Sequence, residues 1–405
     1  VTSPPTVAAD REAGGHHAAH QRHARRIVAA LAITQTVGYG TLYYAFAVFL
    51  TPLARDLHTT TTAVTGTFTV SVLVSAALAV PAGRWLDHHG GRALMTAGSL
   101  LGTLMLVAWS QVGTLWQLYA VQIGIGAAAA ASLYEAAFAV VIAWHTPATR
   151  SGALLVLTVV AGFASTIFLP LTGWLVEQHG WRTALLALAL VQFLTVPPHL
   201  LVVRAAPRKP APISRPAGLR QVLTDGGFWL LAVGFTAHTA AIAALTVHLV
   251  AALTAWGHSA TFAATAAGLL GVLSVTGRLI TTGLQRRFRT TTVVAVIFVL
   301  QAAAAMSLPL AGRHTGAAVA GIVVFGIGFG VATIAKPVLI AARYDTRRYA
   351  TIAGTLVVPM TLAKAAAPLG AAALHATTGN YLLVFGAAAL SCAVAATCIA
   401  AARTT

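Results

Sequence analysis

Apolar runs of roughly 20 to 28 residues follow one another along the whole chain, and each can cross a hydrocarbon core about 30 Å thick. Twelve such spans can be marked, at 27–53, 60–83, 93–112, 115–143, 151–175, 182–203, 228–252, 260–283, 290–311, 315–342, 350–374 and 380–402. The pattern predicts an all-α polytopic membrane protein with twelve transmembrane helices. Between spans 6 and 7 lies "RAAPRKPAPISRPAGLRQVLTD", with four prolines and five basic residues, which divides the spans six and six. It reads as a linker between two bundles. The expected organisation is a disordered tail (1–26), a first six-helix bundle (27–204), the linker (205–225) and a second six-helix bundle (226–405).

The composition agrees: 58% of the 405 residues are hydrophobic and 8% are charged, against about a quarter charged in a soluble domain. A net charge of +17 raises the question of a nucleic-acid partner. The placement of the charges excludes it. Of the 25 Lys and Arg, 19 fall in the two tails and the loops after spans 2, 4, 6, 8 and 10, and three (Arg55, Arg182, Arg313) in the opposite loops. The positive-inside rule then expects a multi-pass plasma-membrane protein with both termini in the cytoplasm. The first apolar run has full spanning length, so no cleavable signal peptide is expected. Cys392 and Cys398, at i and i+6 of the last span, point to different faces and read as packing residues, not as a disulfide or metal site. The His-rich start could touch a metal but reads as a solvated tail. No metal and no cofactor are expected.

The halves resemble each other. Aligning Gly124-Ile-Gly126 with Gly326-Ile-Gly328 sets Tyr134 opposite Lys336, and aligning Pro170 with Pro368 sets Thr166 opposite Lys364. Repeated halves place a substrate at their interface near the midplane. The Gly and Ala positions read mainly as close-packing sites, and Pro170, Pro337 and Pro368 as candidate breaks in gated helices.

After span 2 the chain reads "GRWLDHHGGRALM". This resembles the loop between helices 2 and 3 of the major facilitator superfamily, with Gly83, Asp87, Gly90 and Arg92 matching and His88 where a basic residue is usual. The resemblance implies two pseudo-symmetric six-helix bundles, and a loop that latches them in the outward-facing state. Asp87 can pair with a nearby cation, with Arg150 as candidate, or face a helix N-terminus. In the second half Arg287 replaces the acid, so one latch is expected. "GYGTLYYAFAVF", "VTGRLITTGL" and "RRYATIAGTL" leading into "TLAKAAAP" are similar to the oxalate–formate antiporter and monocarboxylate transporter branch. That likeness implies carboxylate binding by Arg278 and Lys364. The monocarboxylate transporters carry an acid one turn before the arginine, where this chain has Ser274.

Besides histidines, four ionisable residues fall within spans: Glu135, Arg278, Lys336 and Lys364. A charge at the centre of a spanning helix costs about 2.5–3.5 kcal/mol and marks a pathway. Three cations against one acid leave at least two cations without an acidic partner, a deficit that an anionic substrate would fill. Arg278, Lys364 and Lys336 are the candidate substrate cations, with Lys336 balanced between lining the cavity and snorkelling. Tyr39 and Tyr43, one turn apart, are candidate hydroxyl donors. Glu135 and His248 are candidate proton carriers. The function expected is secondary transport of small organic anions, mono- or dicarboxylates, by alternating access, as proton symport or anion exchange. The alternative is a proton-driven efflux pump for amphipathic drugs or metabolites. The partners expected are the anion, a proton and the lipid bilayer, with the protein working as a monomer. No nucleotide loop or nucleophile–base arrangement points to an enzyme.

Overall fold

The computed structural model describes residues 7–206 and 219–402, and every regular element among them is helical. Among the described residues, eleven helical stretches are long and apolar enough to cross a membrane. One of them, Pro147–Leu201, has 55 residues, where one crossing needs about 20. Gly180 lies within it at φ 76° and ψ 163°, a conformation that costs glycine little. The chain turns back there, so the stretch supplies spans 5 and 6 and the crossings number twelve.

The first helix begins at Val7, inside the stretch expected to be a disordered tail. Residues 1–6 lie outside the described residues. Alanine, glutamate, glutamine and arginine favour helix in this stretch, and the His20 and His23 rings pack on Trp144 with centroids 5.0 and 4.9 Å apart. Of the expected linker, 207–218 lie outside the described residues, and Leu219–Leu223 forms a short helix.

The start of span 1, the end of span 12 and the described ends of the loops after spans 2, 4, 6, 8 and 10 share one face, called here the terminal face. The buried apolar residues divide unequally between the two faces. On the terminal face a single core runs through both bundles, from Ile27, Leu31, Phe138 and Leu154 to Phe235, Phe298, Tyr349 and Leu356. On the opposite face there are two cores, one per bundle. Phe49, Trp109 and Leu185 belong to the first, and Leu249, Phe325 and Phe385 to the second. The bundles are therefore joined on the terminal face and packed separately on the other.

Spans 2 and 11 show how close the joined side is. Adding a Cβ to Gly83 would drive it into the Ala350 carbonyl, and a Cβ on Gly354 would strike the Ala79 carbonyl. Glycine at these two positions lets the helix backbones touch. Further along span 11, toward the opposite face, burial is lost: Tyr349–Gly354 are all buried, whereas Leu362, Lys364 and Leu369 are exposed.

Several crossings are broken near mid-depth, and proline does not mark the breaks. Pro170, Pro337 and Pro368 all lie inside continuous helices. The interruptions fall at Leu133 in span 4, at Gly162 and Phe163 in span 5 and at Gly330 in span 10. In span 1, Gly40–Tyr44 winds as a π-helix, closed by the Ala45 amide donating to the Gly40 carbonyl at 3.0 Å. A Cβ on Gly40 would run into the Phe168 ring.

Candidate substrate-binding site

These irregular segments surround one place between the bundles. The π-helical turn of span 1 carries Tyr43 and Tyr44, and π-bulges of this kind are frequent at functional sites. Tyr43 accepts or shares a 3.0 Å hydrogen bond with the Lys364 ammonium of span 11, which also stands 5.2 Å from the Tyr43 ring centroid. Lys364 is exposed although it sits deep in a membrane helix, and its partner belongs to the opposite bundle. It thus faces an open cavity between the bundles. Tyr39 packs on Tyr43 at 6.1 Å, on Tyr44 at 6.4 Å and on Tyr134 at 4.5 Å, continuing the phenol wall onto span 4.

Arg278 of span 8 also crosses between bundles. One Nη donates to the Thr158 carbonyl of span 5 at 2.7 Å, and its Nε is buried without a hydrogen-bond partner. The chain breaks at Gly162 and Gly330 make room for it, since a Cβ at either glycine would press on the guanidinium. Tyr44 lies within electrostatic reach of both Arg278 and Lys364, so the two cations and the phenols form one cluster.

Lys336 does not join that cluster as a free cation. It is 5% exposed and its Nζ lies 2.5 Å from Glu135 Oε1, across the bundle interface. The residue expected either to line the cavity or to snorkel is consumed in an ion pair with the lone membrane acid. Among the described residues no carboxylate pairs with Arg278 or Lys364. Glu135 keeps its second oxygen, Oε2, buried and unpartnered. Of the histidines in span 7, His238 is enclosed, bonding Gln301 at 2.9 Å and stacking on Phe298 at 4.0 Å. His248 bonds the Pro368 carbonyl at 3.2 Å, one turn beyond Lys364 and inside the second bundle.

The loop after span 2 does join the bundles. Asp87 Oδ1 accepts from the Ala350 amide at 3.0 Å, and Oδ2 accepts from the Thr351 amide at 2.9 Å and the Thr351 hydroxyl at 2.6 Å. The carboxylate caps the N-terminal end of span 11, where the helix dipole favours a negative charge. Arg150 is not its partner: its guanidinium donates to the carbonyls of Ala341 at 3.5 Å and His145 at 3.4 Å. Gly90, at φ 77°, ends span 2, and Arg92 is exposed in the first turn of span 3.

Sequence reasoning missed Thr158, Thr351, Gly162 and Gly330 as parts of these arrangements. Thr351 carried a usable signal, being a hydroxyl residue in the first turn of a spanning helix. It also missed Asp225, which caps span 7 and holds Arg343 at 2.9 and 3.0 Å and the Tyr344 hydroxyl at 2.6 Å.

The family model described as Major Facilitator Superfamily matches residues 31–368. The chain belongs to that superfamily. Its helices are those of a multi-pass membrane protein. An MFS-type efflux pump of Mycolicibacterium smegmatis is 29% identical to it over 234 residues, which are 56% of this chain and 52% of the pump. The alignment thus spans about half the length of that relative. Solved major facilitators share the fold. The fucose:proton symporter FucP of E. coli superposes with a TM-score of 0.71 at 16% identity, over 94% of this chain and 98% of that one. The human organic anion transporter MFSD10 (TETRAN) gives 0.72 at 16% identity, over 93% and 98%.

Proposed function

We propose that this major facilitator is a secondary transporter of small organic anions, bound between the bundles by Arg278 and Lys364. The observation that carries the proposal is the imbalance of charge at the interface. Glu135 neutralises Lys336, which leaves an ammonium and a guanidinium converging on a phenol-lined cavity without a carboxylate among the described residues to answer them. Two separated cations flanked by hydroxyl donors match a carboxylate, and the planar fork of Arg278 suits its two oxygens. Tyr43 holds the Lys364 ammonium toward the cavity, and Tyr39 and Tyr44 wall it.

If the terminal face is cytoplasmic, as the basic loops favour, the bundles are closed inward and open outward, with Asp87 latching the closed side. Rocking would part Asp87 from Thr351 and Glu135 from Lys336 together. A carboxylate left unpaired inside the membrane is stable with a proton bound, which makes Glu135 the coupling residue of a proton-linked cycle. His248, on the wall beyond Lys364, is the second proton candidate.

The test is counterflow of mono- and dicarboxylates in proteoliposomes. Lys364→Gln and Arg278→Gln should each abolish exchange while leaving folded, expressed protein; undiminished exchange in both would sink the assignment. A second reading, efflux, is favoured by the resemblance to the Mycolicibacterium smegmatis pump. It is compatible with an anionic cargo, because expelling one negative charge from an inside-negative cell gains about 2.3 kcal/mol per 100 mV. Comparing right-side-out with inverted vesicles, with the pH gradient reversed between them, separates uptake from efflux.

A further inference from the structure

A second cavity, of about 460 Å³, opens on the terminal face beside the latch. It does not include Lys364, Arg278 or the phenol wall, and its size is in the range of small-molecule sites. Its walls come from both bundles. The first contributes His88 and His89 at the end of span 2, Gly91 at the start of span 3, Trp144 at the end of span 4, and Arg204 after span 6; the second contributes Arg347 and Tyr349.

The charge of this lining is one-sided. Two guanidinium groups and two imidazoles face one carboxylate, Asp87, whose two oxygens are already committed to Ala350 and Thr351. Asp345 pairs with Arg347 through Nε and Nη2, each at 2.8 Å, which leaves Nη1 of the fork for a ligand. Arg204 is exposed and meets no carboxylate among the described residues. Arg26, on the first helix beside His23, adds positive field close to Arg204. The helix of span 3 begins at Gly91 with no side chain capping its first turn, so its positive end also lies at the cavity wall.

We infer that this cavity is a second, regulatory anion site, taking a phosphate-bearing group that bridges Arg204 of one bundle and Arg347 of the other. Because its walls come from both bundles, the site is whole only while the terminal face is closed. An occupant therefore holds the transporter in the conformation described here, independently of what the central site carries.

Isothermal titration of the full chain with pyrophosphate, in phosphatidylcholine nanodiscs, tests this. Binding should persist in the double variant Lys364→Gln with Arg278→Gln, and weaken about tenfold for each charge removed in Arg204→Gln and Arg347→Gln. Arg204 is exposed, so its single variant gives a reading even if the pair does not fold. Repeating the titration in phosphatidylglycerol nanodiscs separates the two sources of the group. A loss of apparent affinity there larger than the loss shown by Arg204→Gln, which feels the same anionic surface, identifies a lipid headgroup as occupant, and an equal loss in both identifies a soluble anion. Absence of pyrophosphate binding in phosphatidylcholine overturns the site. So does binding that is lost with Lys364 and Arg278 but kept without Arg204 and Arg347.

Discussion

Lys336 reaches across the bundle interface to Glu135, with Nζ and Oε1 2.5 Å apart. The pair joins two helix segments that each start just after a break, at Leu133 and at Gly330. It also removes the one membrane acid from the charge balance of the cavity, so that what remains there is positive. Removing Glu135 therefore has two effects that can be measured apart. Glu135→Gln leaves Lys336 charged and buried, at a cost of about 3 kcal/mol, the low end for broken buried pairs because Glu135 keeps 30% side-chain exposure. The melting temperature should fall, and recover in Glu135→Gln with Lys336→Met. If Glu135 is the coupling residue, both variants should exchange anions without accumulating them in a pH gradient.

The substrate cations should show in ligand-induced stabilisation. A carboxylate at 100 times its dissociation constant stabilises the wild type by about 2.7 kcal/mol. Lys364→Gln and Arg278→Gln should each abolish that shift in a thermal melt, while Lys336→Met should keep most of it. A shift that survives in Lys364→Gln would mean that Lys364 holds Tyr43 and not the cargo.

Asp87→Asn removes a charge that accepts three hydrogen bonds at the start of span 11. The closed terminal face should lose about 2 kcal/mol, roughly a thirtyfold change in the conformational equilibrium. Distances between spin labels placed on the terminal ends of spans 2 and 11 would report it as a larger open population. Gly152→Ala, in open space, should leave that population unchanged.

The π-helical turn should be sensitive to a single methyl. Gly40→Ala places a Cβ against the Phe168 ring, which displaces Tyr43 from Lys364. Anion affinity should drop about tenfold, the loss of one charge-assisted hydrogen bond. Gly152→Ala, in open space, serves as the control in the same binding measurement.

Asp225 gives stability a dependence on pH from outside the membrane. The Arg343 hydrogen bonds, with help from Tyr344 and the Gly227 amide, hold its carboxyl well below the usual range. A group depressed on folding contributes fully above its unfolded value, about 3.9, and loses the contribution as pH falls through that value toward the folded one. Melting temperature should therefore begin to decline near pH 5 and fall most steeply below about pH 4, with a shallower slope in Arg343→Gln.

How much of this was legible follows from range. The twelve crossings could be read because each depends on a contiguous run of apolar residues. The lone lysine at 364 stood out for the same reason. The pairing of Lys336 could not be read, because its partner lies 201 positions away and nothing local separates a paired from an unpaired buried cation. The breaks at Leu133 and Gly330 were hidden because the surrounding residues are uniformly apolar, so no periodicity changes there. The prolines misled because neighbouring helices can compensate for a missing amide. The sequence marks Asp87 as lying near a helix end, but the choice between Arg150 and the amides of span 11 is tertiary.

The division of the apolar cores, one shared on the terminal face and two separate on the other, has a thermal consequence. Opening the terminal face must bring water onto side chains such as Tyr349 and Leu356 that the shared core now keeps dry. Hydrating apolar surface raises heat capacity. The activation enthalpy of transport should therefore grow with temperature, and its rate plot should bend where a purely polar gate would give a straight line.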